Sequence, residues 1–303
     1  MLQPEEVIRD LRASGSLWEA GPGLIGLRGA VADLMRDLER QVEALARLET
    51  GDEWRNPAAV SFETLERAEY FASFPQWLSM ASHLSGDESV LSGIAASEAP
   101  AREARNAVGR PETVLPPAVC YNTYAALAGT VVDAPVVMTA QGICWRHEGD
   151  RLAALERGWA FTMREIVCVG AERDVRGLLD RGVSHADALA RELGLETELG
   201  VASDPFFAPT SRGRAALQRI KGLKHELVLH FPDGRPLAIA SFNDHERFFG
   251  EAFDITLVHG GAASSGCVAF GLERWLLAVL VTHGTNPDNW PARPALSGAA
   301  AND

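Results

Sequence analysis

Three features of this 303-residue chain predict an α+β fold built on an antiparallel sheet. Strand-like runs crowd its middle and second half: APVVMTAQGICWRHE, FTMREIVCVG, HELVLHF, PLAIASF and DITLVHG. FPDGR (231–235) separates two of them and is a hairpin signal, because Asp-Gly accepts the backbone angles of a tight turn. The helical patterns do not alternate strictly with the strands, which favours helices laid on an antiparallel sheet over a parallel wind.

Taken in order, residues 1–23 are acidic and then broken by Gly and Pro. Residues 27–50, LRGAVADLMRDLERQVEALARLET, carry apolar residues three and four apart and predict one amphipathic helix. A single helix of this length, followed by GDEWRNPAA, cannot make a long antiparallel coiled-coil arm. FASFPQWLSMASHL (71–84) reads at this level as a buried helix. Further helices are expected at 171–193, 210–221 and 272–283. The expected division is an N-terminal helical region (1–59), an α+β domain (60–290) and a mobile C-terminal tail (291–303).

Composition narrows the class. Hydrophobic residues make up 47% of the chain, with 7 Trp and 12 Phe, enough for a substantial core. The net charge of −13 argues against a nucleic-acid binder. The four cysteines (Cys120, Cys144, Cys168, Cys267) form no CxxC pair and are expected as reduced thiols. MLQPEEVIRDL is too polar for a secretory signal, and no apolar run reaches the roughly 18 residues of a membrane span. A cytoplasmic protein is expected.

Two distant segments carry the chemistry. GICWRHEG (142–149) places Arg146 and Glu148 two apart on a strand-like run, so both point to one face. SSGCVAFGLERW (264–275) is a small-residue strand that runs through GLER into an apolar helix, with Arg274 at the join. Together they resemble motifs 2 and 3 of the class II aminoacyl-tRNA synthetases. The resemblance implies a class II synthetase-like catalytic domain over 60–290 that activates a carboxylate with ATP. Arg146 would bind the α-phosphate and the carboxylate, and Arg274 the γ-phosphate, making these the catalytic pair. A fixed guanidinium suits adenylation, which brings two anions together at phosphorus. Glu148 would contact adenine or the metal, and Phe161, in ERGWAFTMREIVCVG (156–170), would stack on adenine. The resemblance also implies a homodimer. It offers a second reading of 71–84 as motif 1, a helix and strand with Pro75 near the interface.

The cysteines narrow the resemblance. AVCYNTY (118–124) follows VLPP and is similar to the substrate loop of seryl-tRNA synthetases, with Cys120 where those carry a polar loop. Glu165 lies on the returning strand and Cys267 on the strand entering motif 3. This set resembles the zinc-dependent seryl-tRNA synthetase of methanogens and its truncated bacterial relatives, the amino acid:[carrier protein] ligases. It implies one Zn2+ per subunit on Cys120, Glu165 and Cys267, with a fourth position open to the substrate amino group, and Mg2+ with ATP. Strand parity sets Cys168 away from the site as a core thiol. It leaves Cys144 open as a lining group and turns His147 away. His225, His245 and His259 read as structural or rim groups.

GLKHELVLHFPDGRPLAIASFNDHERFFG (222–250) resembles the synthetase stretch with an acidic residue near the substrate and then a Ser–x–Asn turn. Glu226, Ser241 and Asn243 are the substrate-binding candidates. The family's metal-binding glutamate before that turn is missing, with Leu237, Ala238, Ile239 and Ala240 in the region. SRGRAALQRIKGLK (211–224) carries Arg212, Arg214, Arg219, Lys221 and Lys224 without an acidic residue. It reads either as a solvated basic face or as a contact for an acidic carrier protein. The truncated relatives load glycine or alanine onto a carrier's phosphopantetheine thiol. The expected function is therefore activation of one of these as the adenylate and transfer to a carrier protein, without tRNA or membrane. The alternatives are aminoacylation of tRNA, and a catalytically silent paralogue that binds an amino acid.

Overall fold

Seven strands form the main sheet: β1 (Glu53–Trp54), β2 (Val136–Trp145), β3 (Ala160–Gly170), β4 (Thr197–Val201), β5 (Lys224–His230), β6 (Pro236–Asp244) and β7 (Ser264–Gly271). Their spatial order is β1-β2-β3-β7-β6-β5-β4. Only the β1–β2 pair is parallel; the rest are antiparallel. The last strand in sequence thus lies in the middle, between β3 and β6, and brings the start of the following helix to the sheet centre. The computed structural model describes residues 1–207 and 212–291, without the side chains of Arg212 and Arg214. The tail expected over 291–303 lies outside the described residues beyond 291.

The principal helices are α1 (Pro4–Ala13), α2 (Ala30–Glu49), α3 (Cys120–Ala126), α4 (Glu172–Glu192), α5 (Arg212–Lys221) and α6 (Leu272–His283). Strand alternation assigns the two faces of the sheet. Ile166, Cys168, Phe242, Val268 and Phe270 point to one side and are covered by α1, α2, α4 and α6. In α2, Val31, Leu34, Met35, Leu38, Val42 and Leu45 form the buried stripe, each contributing about 1.5–3 kcal/mol relative to exposure. α6 is apolar on nearly every side and runs through the middle of this layer, with Leu272 and the run Trp275–Val281 buried. α4 sits close on β7 because Gly182 faces Val268: an added Cβ would lie 2.5 Å from its methyl group.

The opposite face is divided. At one end Met138, Ala140, Cys144, Val167 and Val169 pack with Tyr124, Phe249 and Phe253. At the other end the face is open, and the candidate site occupies it. No helix among the described residues is long and apolar enough to cross a membrane.

Several expectations need correction. β2 ends at Trp145, so Arg146 and Glu148 lie just beyond the strand. Ser241 and Asn243 lie within β6 and form no turn. DITLVHG contributes only Thr256–Leu257, paired in parallel with Val131–Val132 outside the main sheet. Residues 71–84 are neither one helix nor a long helix–strand pair: a turn of helix (Tyr70–Ser73), a 3-10 turn begun by Pro75 and a two-residue strand (Met80–Ala81) replace both readings. The N-terminal region contains a β-hairpin, Leu17–Gly21 with Leu24–Leu27, as well as helices. Its helices share one core with the sheet.

Candidate active site

A cavity of about 590 Å³ opens on the uncovered part of the sheet. At one end are Cys120, Glu165 and Cys267, all buried, whose ligand atoms lie within 4.8 Å of one another. Each comes from a different element. Glu165 projects from β3 and Cys267 from β7, on the same face of neighbouring strands. Cys120 begins α3, and its backbone N–H donates to Glu165 Oε2 at 2.5 Å.

Electrostatics shows how poorly three anions fit there. Burial pushes the Glu165 carboxyl well above the ordinary range, helped by Cys267. The hydrogen bond with Cys267, and then burial, push the Cys120 thiol well up. The same bond holds Cys267 well below the usual thiol range, with support from His245 and Asn243. Two thiols and a carboxyl buried side by side are a donor set that a divalent cation such as zinc satisfies. Among the described residues this is the one cluster of that kind.

The neighbouring strands extend this end of the site in register. Asn243 faces Cys267 across β6–β7 and donates from Nδ2 to its Sγ at 3.4 Å and to Ser241 Oγ at 3.2 Å. Ser241 pairs with Ala269 on one side and Glu226 on the other. Lys224, opposite Asn243, forms ion pairs with Glu226 at 3.2 Å and Asp204 at 2.5 Å. Glu226, Ser241 and Asn243 all line the cavity.

At the other end the guanidinium groups converge. Arg146 lies between Trp77 and Phe161, 5.3 Å and 5.4 Å from their ring centroids, and its Nε donates to Pro117 O at 2.9 Å. Arg274, in the first turn of α6, donates from Nε to Glu156 O at 2.8 Å and from Nη1 to Ala238 O at 3.1 Å. Burial, followed by the charges of Arg157 and Arg146, lowers the Arg274 pKa. Cations arranged against their own repulsion mark a place for an anion. Glu148 is paired with Arg157 at 3.0 Å.

The cavity therefore brings together Cys120, Arg146, Glu148, Phe161, Glu165, Glu226, Ser241, Asn243, Cys267 and Arg274. Cys168 belongs to the core on the helix side of the sheet. Cys144 shares the cavity side but is wholly buried in the aromatic end and is absent from the lining. The basic helix forms as α5. Arg219 on it is exposed, Lys221 is paired with Glu246 at 2.8 Å, and the side chains of Arg212 and Arg214 lie outside the described residues. Several lining residues lie outside the sequence expectations, among them Arg157, Glu273, His245 and Asp204. Arg157 sits in a loop with no regular pattern. Glu273 was overlooked beside Arg274, although GLER displays it. His245 was read only as a structural or rim group, and Asp204 comes from a loop with no motif.

No family model matches the chain. Amino acid–[acyl-carrier-protein] ligase 1 of Bradyrhizobium diazoefficiens is 35% identical over 264 residues, which cover 84% of this chain and 80% of that protein. Ligase 2 of the same organism is 32% identical over 273 residues, 89% of this chain and 81% of its own length. The type-2 serine–tRNA ligase of Methanocaldococcus jannaschii is 31% identical over 206 residues, and the match covers only 39% of it. Among solved structures, the seryl-tRNA synthetase of M. kandleri in complex with tRNASec superposes with a TM-score of 0.84 over 95% of this chain, at 24% identity. That places the fold among the class II aminoacyl-tRNA synthetases. With the relatives matched over four-fifths of their length, the chain belongs to the amino acid–[acyl-carrier-protein] ligases.

Proposed function

We propose that this ligase activates a small amino acid, glycine or alanine, as its adenylate and passes it to the phosphopantetheine thiol of an acidic carrier protein. The carrying observation is one cavity with a thiolate–carboxylate cluster at one end and converging guanidiniums at the other. Cys120, Glu165 and Cys267 would hold Zn2+, one per subunit. The ion would supply Lewis acidity at that end of the cavity, suited to an unprotonated amino group. Because the amino group and not the side chain is read there, the small size of the substrate rests on the likeness to the family.

The chain's own residues do the rest. Arg146 neutralises the α-phosphate and the substrate carboxylate as a carboxylate oxygen bonds to phosphorus and pyrophosphate leaves. Arg274 holds the γ-phosphate, Phe161 offers its ring to adenine and Glu148 contacts the base or the metal. Mg2+ accompanies ATP. Glu226, Ser241 and Asn243 orient the amino acid. In the second step the carrier thiol attacks the acyl carbon, the acyl–phosphate bond breaks and AMP leaves. The thiol proton passes to solvent, so no nucleophile on the protein is needed. The basic helix α5, with Arg212, Arg214, Arg219 and Lys221, is the proposed docking face for the carrier, which fits an acidic partner. The working unit is proposed as a cytoplasmic homodimer.

Transfer is tested by incubating the zinc-loaded protein with ATP, glycine or alanine, and a phosphopantetheine-bearing acyl carrier protein, with bulk tRNA as the rival acceptor. A hydroxylamine-labile mass gain on the carrier supports the reading. Charging of tRNA with an unmodified carrier overturns it in favour of a synthetase.

A further inference from the structure

We propose that His245 is a positioning residue for the metal centre: braced by Tyr124, it donates its Nε2–H to Cys267 and orients that sulfur as a ligand. This rests on the metal reading above. His245 follows the end of β6 and is pinned to β7 by its backbone, with His245 N–H donating to Ser265 O at 2.9 Å and Ser265 N–H donating to Glu246 O at 2.9 Å. The imidazole thereby reaches both Tyr124 and Cys267. Its Nδ1 lies 3.2 Å from Tyr124 Oη, and its Nε2 lies 3.9 Å from Cys267 Sγ.

The contacts on both ring nitrogens accommodate the proton on Nε2. Tyr124 is fully buried and stacked on Phe249 at 4.0 Å, and burial keeps its phenol protonated. The phenol O–H can donate to Nδ1, and Ser265 Oγ, a second hydroxyl, lies 3.5 Å from the same nitrogen. With Nδ1 accepting, the ring proton resides on Nε2 and points at sulfur. The opposite tautomer would turn the bare Nε2 lone pair toward a sulfur that already accepts from Asn243. Phe249 meets the imidazole edge-on at 4.8 Å and restricts its rotation. Cys267 then receives N–H donors from His245 and Asn243. The two cysteines are accordingly unequal. A partner of this kind fixes a ligand's orientation and protonation, and losing one costs about 10- to 100-fold in metal affinity.

The test uses Co2+ as an optical probe in the full-length protein, with chelator competition for Zn2+ affinity. His245→Leu is expected to weaken Zn2+ by 10- to 100-fold and to shift the thiolate-to-cobalt charge-transfer band. His245→Gln, whose amide nitrogen can stand where Nε2 stood, is expected to recover most of both. Tyr124→Phe removes the hydroxyl and should move the band in the same direction by less, and it serves if His245→Leu does not fold. Wild-type affinity and an unshifted band in the folded variants overturn the relay and leave the metal reading standing. Absence of any thiolate–cobalt band in the wild type overturns the metal reading itself, and the relay with it.

Discussion

Glu165 Oε2 accepts the backbone N–H of Cys120 at 2.5 Å, although 45 residues separate them. One carboxylate on the central sheet thus anchors the start of α3 and belongs to the proposed ligand set. Replacing Glu165 with Gln keeps the shape and an acceptor for that N–H but removes the charge. Zinc content by mass spectrometry of the native protein is expected to fall from one ion per chain to well under half, with the circular dichroism spectrum unchanged. Full zinc occupancy in this variant would remove Glu165 from the ligand set.

The two arginines are expected to differ in what replaces them. Arg146 lies against two aromatic rings, on which a planar guanidinium stacks in a way an ammonium cannot copy. Arg146→Lys should therefore lose nearly as much adenylation as Arg146→Ala, about 100- to 1,000-fold in kcat. Arg274→Ala should lose a similar factor. Single-turnover adenylate formation measures both. Retention of a tenth or more of the rate by Arg146→Lys would show that only its charge matters.

Glu273 gives a pH signature. Burial pushes its carboxyl up to about 7, against two bonds from Thr162 N–H at 2.8 Å and 2.9 Å. Its folded-state pKa is raised, so the native state holds the proton more tightly than the unfolded chain. The associated stability is fully present below the unfolded value near pH 4.5 and is lost as pH rises through about 7. The shift corresponds to about 3 kcal/mol at most. Urea midpoints at pH 5 and pH 8 should show Glu273→Gln gaining on the wild type at the higher pH only. An equal difference at both pH values would mean that the carboxyl does not titrate in this window.

Carrier docking should depend more on Arg219 than on Lys221. Lys221 is already engaged by Glu246, and Arg219 is exposed. Arg219→Glu is expected to raise KM for the carrier about tenfold and to leave amino-acid activation unchanged, with Lys221→Ala weaker. Equal KM values in the wild type and both variants would place the docking face elsewhere.

Much of the fold was legible because its signals are local. The three-four spacing of Leu34, Leu38 and Leu45, the apolar run after Arg274 and the turn at Asp233–Gly234 each declare an element without reference to the rest of the chain. The alternation along β3 correctly put Glu165 and Cys168 on opposite faces. What failed was whatever the sheet decides. The strand-like run suggested that Arg146 and Glu148 lie on a strand, but regular pairing stops at Trp145, where Trp145 N–H donates to Pro116 O and Arg146 Nε to Pro117 O, both at 2.9 Å. The family resemblance implied a turn at Asn243, yet it is register-paired with Cys267. His245 carried no pattern, since its role depends on Tyr124, 121 residues earlier.

Amino-acid-dependent ATP–pyrophosphate exchange tests the central claim most directly. It is run across the twenty amino acids with the zinc-loaded wild type and with Cys120→Ala. The account predicts exchange with glycine or alanine and its loss in the variant. Absence of exchange with every amino acid, from folded and zinc-loaded protein, would contradict the ligase mechanism and leave an amino-acid-binding paralogue in its place.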